Sequence, residues 1–181
     1  GLTMALGFSG CQSENQKNQD AYRKIGINSM AEGDYDKAVK SFQKALDTSL
    51  GKIGAEEIDI CYYKAAAQFA KKDYDGAIET YTSLIDYDKE NANAYYLRGS
   101  VYLDTDKKDK AFKDYKNAVK YAGREYEIYE GIYENLTNKG ETEEAKNYLK
   151  KALDIKPKDG ADYAEQGHVY YLLEDYTQAK S

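Results

Sequence analysis

The sequence contains few of the residues that interrupt helices or that commonly carry out catalysis. Its 181 residues include one proline, one histidine, two cysteines and no tryptophan. Because proline removes a backbone donor and breaks helix interiors, its scarcity favours long uninterrupted helices. A Ser-His-Asp or Cys-His arrangement could use only His168, and neither cysteine has metal-ligand spacing around it. We therefore expect no enzyme activity, no bound metal ion and no cofactor.

Clusters of basic residues are also missing. The net charge is −6, and lysines are interspersed with acidic residues, as on ordinary solvated helix faces. Binding of nucleic acid needs grouped Lys and Arg side chains against the phosphates, so we expect no nucleic acid partner. After the first ten residues, no segment of the sequence is apolar enough to span a bilayer.

One alanine recurs along the chain at a nearly fixed interval. The alanines are Ala38, Ala77, Ala111, Ala145 and Ala179, with 34 residues in each of the last three intervals and 39 in the first. Large apolar residues follow four positions later, at Phe42, Tyr81, Tyr115 and Leu149. This spacing places both sets on one helix face, and a period of 34 is typical of helix-turn-helix repeat arrays.

A second pattern precedes each alanine, in the first helix of each pair (helix A). A large residue is followed four positions later by a small one, in the pairs Tyr22/Gly26, Cys61/Ala65, Tyr95/Gly99 and Tyr163/Gly167, with Tyr129/Tyr133 as the exception. The pattern resembles the tetratricopeptide (TPR) repeat, phased as 19–52, 58–91, 92–125, 126–159 and a partial 160–181. This resemblance implies an all-α fold, a right-handed TPR superhelix (α-solenoid) of antiparallel helix pairs; a generic helical bundle is the alternative.

The repeats depart from regularity at several places. Five extra residues, 53–57, predict a longer loop or an extended helix end between repeats one and two. Tyr133 puts a ring into a small-residue position, which predicts a changed helix angle in repeat four. A turn is expected at 174–177, after which the second helix of repeat five (helix B) would only begin. Either the sequence is a fragment, or a partner or a second copy supplies the missing helix.

The first residues resemble the end of a bacterial lipoprotein signal peptide. Ser9-Gly10-Cys11 matches the lipobox, although Phe8 replaces the usual leucine and a basic leading segment is absent. The resemblance implies a signal-peptide remnant at 1–10, lipidation of Cys11, a polar tether at 11–18 and the TPR array at 19–181. It also implies an extracytoplasmic protein, anchored by lipid to the membrane of the bacterial cell envelope. A disordered cytosolic leader with an incidental cysteine is the alternative.

TPR proteins bind peptides or proteins in a concave groove lined by helix A, and the resemblance implies which residues line it here. They are Tyr62, Ala66, Phe69, Tyr96, Ser100, Leu103, Glu130, Glu134 and His168. A partner with apolar anchors and a basic end would complement them, although the tyrosines could simply support neighbouring helices. We therefore expect a non-catalytic interaction scaffold. The alternatives are an adaptor domain of a longer enzyme or sensor, and a solute-capturing lipoprotein.

Overall fold

The computed structural model describes the backbone of residues 12–180 and the side chains of residues 12–174. That part of the chain consists of helices joined by turns and loops, with no strand. The helices are α1 Glu14–Ala31, α2 Tyr35–Asp47, α3 Ala55–Ala70, α4 Tyr74–Tyr87, α5 Ala92–Asp104, α6 Lys108–Tyr121, α7 Tyr126–Asn138, α8 Thr142–Ala152 and α9 Gly160–Lys180. The predicted fold class, an all-α array of helix pairs, is confirmed. Between residues 12 and 180, no helix is both long and apolar enough to cross a membrane.

The turn inside each of the first four helix pairs has the same backbone geometry. Two residues after each helix A, the chain adopts a left-handed conformation, at Gly33 (φ 77°), Lys72 (φ 66°), Asp106 (φ 59°) and Gly140 (φ 80°). Acidic residues then cap some of the following helices, as Asp34 does by accepting the Lys37 amide at 3.1 Å. Each of these turns separates the two helices of its pair.

The predicted turn in repeat five is wrong. Helix α9 runs from Gly160 to Lys180 and passes through 174–177 without a break. A residue other than glycine in the left-handed conformation costs about 1 kcal/mol or more. Packing of the following helix against helix A offsets this cost in the other turns. Glu174 stands at the position of Gly140 in the period, and here the chain continues the helical hydrogen bonds instead. The side chain of Ala179 lies outside the described residues.

The chain divides into two compact units, Gly1–Thr80 and Tyr81–Ser181. The core of the first unit is built around Ala38, Phe42 and Ala45 of α2, none of which is exposed. Gly26 of α1 faces the Phe42 ring so closely that a Cβ there would lie 2.5 Å from a ring carbon. The small residue of the predicted pair therefore lets helix B approach helix A.

Two helices of the first unit begin before the repeats to which they belong, α1 before residue 19 and α3 before residue 58. Helix α1 begins at Glu14, where Ser13 accepts the Gln16 amide at 3.2 Å, so part of the predicted tether at 11–18 is helical. Helix α3 begins at Ala55, and Glu57 accepts the Gly54 amide at 2.9 Å. The extra residues before repeat two thus lengthen α3 as well as the loop, in which Leu50 has a positive φ of 51°.

The core of the second unit contains the later members of the alanine series. Ala111 and Ala145 are fully buried, with Tyr115, Ile132 and Leu149 around them. Burial of all four described alanines of the series agrees with the predicted core face. Tyr133 is half-buried against this core, and the changed helix angle expected from it stays a prediction.

A buried ion pair joins the two helices of repeat three. The Arg98 guanidinium of α5 donates to both carboxylate oxygens of Asp114 on α6, at 2.8 and 2.7 Å, and to the Thr82 hydroxyl at 3.1 Å. The side chains are 16% and 4% exposed. Because so little water reaches the pair, each charge depends on the other for its solvation.

Candidate functional site

In the first unit, the predicted groove residues lie along helix α3. Tyr62 and Ala66 are half-buried, and Phe69 is exposed, with its ring edge-on to Tyr74 at 5.6 Å between centroids. A separate cleft of about 350 Å³ lies between α1 and α3. Its basic group, Arg23, donates two hydrogen bonds to Asp59, at 3.1 and 2.6 Å. The cleft therefore contains a cation whose charge is already balanced.

The predicted residues on α5 serve mainly as packing. Leu103, predicted to line the groove, is 4% exposed and belongs to the core, so little of its side chain is available to a ligand. It faces inward because helix B packs on the side of α5 that carries Gly99, one helical turn earlier. The Tyr96 ring packs beside Tyr115 at 6.4 Å between centroids, and burial raises the pKa of Tyr96.

Ser100 is held in a hydrogen-bond network that connects three helices. Its hydroxyl donates to the Tyr96 carbonyl at 2.9 Å and accepts from the Asn135 amide at 2.8 Å. The Tyr115 hydroxyl donates to Ser100 at 3.3 Å, and the Asn135 amide also donates to Tyr115 at 3.3 Å. Burial raises the pKa of Tyr115 to about 12. The packing of Tyr96 agrees with the alternative that the tyrosines support neighbouring helices. A role of the α5 residues in binding stays a prediction.

The other three predicted residues come together in one place. Glu130 and Glu134 of α7 and His168 of α9 line a groove of about 320 Å³, which we call the acidic groove. Its other walls are formed by Glu127, Gly131, Tyr133 and Leu172. No lysine or arginine lines this groove in the described part of the chain. The arrangement favours a positively charged ligand with an apolar contact.

The imidazole of His168, in the lining of the acidic groove, has two neighbouring groups. Its Nδ1 atom lies 2.9 Å from Oε1 of Glu130. The imidazole ring stacks on the Tyr171 ring, with the centroids 6.5 Å apart and the planes 16° apart. Glu165, one turn earlier on α9, brings its carboxylate within 4.8 Å of the other two groups.

Several residues of the acidic groove were not predicted. Glu127 precedes Glu130 by three residues and Glu134 by seven, so all three carboxylates share one helix face, which the sequence could have revealed. Tyr133 was assigned to packing alone. The proximity of Glu165 depends on how α7 and α9 pack, which no local pattern reveals.

The predicted lipidation site, Cys11, lies outside the described residues. Burial raises the pKa of the other thiol, Cys61, which keeps it protonated near neutral pH.

Family models match most of the helical array. TPR models match residues 23–81, 65–106, 92–124 and 134–159. The chain is a tetratricopeptide-repeat protein. No protein with a curated description matches it in sequence.

The solved structures with a similar fold include other TPR proteins. A crystal structure of MamA matches with a TM-score of 0.58 and 26% identity, over 76% of this chain and 78% of that one. TTC0263, a thermophilic TPR protein of Thermus thermophilus, matches with a TM-score of 0.59 and 18% identity, over 89% and 87%. YrrB, a TPR protein with an unusual peptide-binding site, matches with a TM-score of 0.54 and 17% identity, over 82% of this chain and 74% of that one. The last two likenesses show the fold alone.

Proposed function

We propose that this TPR protein is a non-catalytic scaffold that holds a basic, partly apolar peptide segment in the acidic groove. TPR proteins as a family bind peptides or proteins. The observation that carries the proposal is the convergence of three predicted groove residues, Glu130, Glu134 and His168, in one cleft without a lysine or arginine among its described lining residues. Tyr133 and Leu172 supply apolar contact beside the carboxylates.

The expected ligand follows from that lining. The three carboxylates of α7 repeat along one helix face, so a partner helix with basic residues at i, i+3 and i+7 would run beside them. An apolar residue of the partner would contact Tyr133 or Leu172. Because the carboxylates are partly exposed, electrostatic attraction should govern the association rate and fall as salt rises.

The test uses a synthetic amphipathic peptide with lysines at those spacings and leucines between them. A matched peptide carries glutamates in place of the lysines. Fluorescence polarisation should detect binding of the lysine peptide only, weakening as salt rises. Replacing Glu127 and Glu134 together by Gln should weaken binding by roughly two- to thirtyfold, since each exposed charge pair contributes about 0.2–1 kcal/mol. The control variant is Glu32→Gln, at an exposed carboxylate of the first unit. Equal weakening by both variants would contradict the proposal.

We further propose that the chain acts at the bacterial cell envelope, tethered by a lipid on Cys11. Small residues before the cysteine and the polar run after it support this reading. Two acyl chains give stable anchoring, since each buried methylene contributes about 0.8 kcal/mol. Metabolic labelling with a fatty-acid probe should mark the wild-type chain and spare Cys11→Ser. Label that survives this substitution would refute the anchor without bearing on the groove.

A second candidate role is self-association through α9. Tyr163, Tyr170 and Tyr171 of this helix are each about 60% exposed. A second copy that covered them would bury apolar surface that the monomer leaves in water. Sedimentation velocity at several concentrations should then detect a dimer, and Tyr170→Ser should weaken it. A monomer at all concentrations would exclude this role.

A further inference from the structure

We propose that Glu130, Glu165 and His168 form a binding site for a divalent transition-metal ion of the zinc class. One ligand atom from each residue lies within 4.8 Å of the other two. The residues belong to two helices, Glu130 to α7 and the other two to α9. The site goes beyond peptide binding and does not depend on it.

The geometry of the pair formed by Glu130 and His168 suits metal ligation. Zinc binds histidine nitrogen and carboxylate oxygen at about 2.0–2.2 Å, which at tetrahedral angles places two neighbouring ligand atoms about 3.3–3.6 Å apart. The Nδ1 atom of His168 lies at hydrogen-bond distance, 2.9 Å, from Oε1 of Glu130. An ion between them would displace the shared proton to solvent, and the two atoms would move apart by about 0.4–0.7 Å. Glu165 is partly exposed, and its ligand atom lies within 4.8 Å of the other two, so we expect side-chain rotation to bring it to the ion.

The helical spacing on α9 also suits ligation. Glu165 and His168 are three residues apart, so they project from one face of the helix toward α7. Stacking of the imidazole on Tyr171 restrains the ring, which lowers the entropy cost of holding it in one orientation. The imidazole therefore has a ring and a carboxylate as neighbours before the ion arrives.

The surrounding charge favours a cation. Between residues 12 and 174, no lysine or arginine forms an ion pair with Glu130 or Glu165. Glu127 and Glu134 add two further carboxylates to the same groove. A divalent ion would neutralise about half of this negative charge.

The donor set selects the class of ion. Imidazole nitrogen favours zinc, copper, nickel or cobalt over magnesium and calcium, which prefer oxygen ligands alone. Three protein ligands leave at least one coordination position for water, as in open zinc sites. We therefore expect zinc to bind, with cobalt as a spectroscopic substitute.

The test uses the single histidine of the chain as a site-specific probe. The full chain, labelled with ¹⁵N and stripped of metal by a chelator, is titrated with zinc chloride. Its imidazole signals come from His168 alone, so zinc bound at either cysteine does not shift them directly. They should shift and saturate at one zinc per chain, and an excess of magnesium should not reverse the shift.

Matched variants separate ligation from general attraction. Glu165→Gln and Glu130→Gln should each weaken zinc binding by at least tenfold, since even the loss of an outer-shell partner costs about 10–100-fold. Glu134→Gln removes the same charge from the same groove without touching the three ligands, and should weaken it by less than about threefold. Circular dichroism checks that each variant is folded. Imidazole signals unmoved by zinc, or equal weakening by Glu134→Gln and Glu165→Gln, would overturn the site.

Discussion

The small residue four positions after the large one in helix A offers a controlled test of the packing. A Cβ at Gly26 would lie 2.5, 2.7 and 2.8 Å from three carbons of the Phe42 ring, whereas favourable carbon contacts need about 3.5–4.0 Å. Phe42 is fully buried and stacks on Tyr63 at 5.6 Å, so its ring cannot move aside freely. Overpacking of this kind costs about 1–3 kcal/mol.

Replacing glycine by alanine also raises helix propensity, and this gain in stability is the same at equivalent positions of different repeats. Comparing two such positions therefore isolates the steric cost. Replacing glycine by alanine inside a helix stabilises it by about 1 kcal/mol. At Gly167, the equivalent position of repeat five, a Cβ would have no neighbour within 4 Å. Gly167→Ala should therefore stabilise its helix by about 1 kcal/mol, while the steric term makes Gly26→Ala less favourable by about 1–3 kcal/mol. Gly99→Ala should fall between them, because Tyr115 lies 2.9 Å from the added carbon.

Hydrogen exchange measured helix by helix suits this comparison, because the chain forms two compact units that could open separately. Amides of α9 should exchange more slowly in Gly167→Ala than in the wild type. Amides of α1 in Gly26→Ala should show no such slowing, because the steric cost offsets the gain in helix propensity. Urea unfolding followed by circular dichroism gives the free energies. Equal stability changes at Gly26 and Gly167 would refute the idea that this position is small because a helix B ring occupies the space.

Two further predictions concern the buried polar groups. Asp114→Ala leaves the Arg98 guanidinium buried without its partner and should lower the free energy of unfolding by about 3–5 kcal/mol in urea denaturation. Asp86→Ala breaks an exposed pair with Lys89 and should change the free energy of unfolding little. Similar losses of stability in Asp114→Ala and Asp86→Ala would contradict the reasoning. Burial raises the pKa of Tyr115 and of Tyr148 to about 12, so the folded chain retains phenolic protons that the unfolded chain loses. The free energy of unfolding should therefore fall as pH rises from about 10 to about 12, by roughly 1.4 kcal/mol per pH unit for each tyrosine. Tyr148→Phe should reduce that slope, and an unchanged slope would argue against the shift.

The periodic positions were predictable because they obey a local rule. The position of helix B that faces helix A takes a small residue in each repeat. The spacing of Ala38 and Ala111 therefore identified the core before any contact was known. The buried pair formed by Arg98 and Asp114 was not predicted, since charged residues one position from a core residue look like an ordinary solvated face. The same limit explains Leu103. Its position on the groove side was transferred from the repeat pattern, whereas its burial depends on how α5 sits in this core.

The irregular position in repeat four connects the repeat framework to the candidate site. In repeats one and three, a glycine at the small position admits the helix B rings of Phe42 and Tyr115. In repeat four, Tyr133 occupies that position and lines the acidic groove, and the small residue occurs two positions earlier. A Cβ on Gly131 would meet the Tyr96 hydroxyl at 2.3 Å, so this glycine accommodates a ring from the preceding helix A. The departure from the repeat pattern therefore places an aromatic wall beside three carboxylates. Departures of this kind are expected where a framework carries a site, because regular positions are already committed to packing.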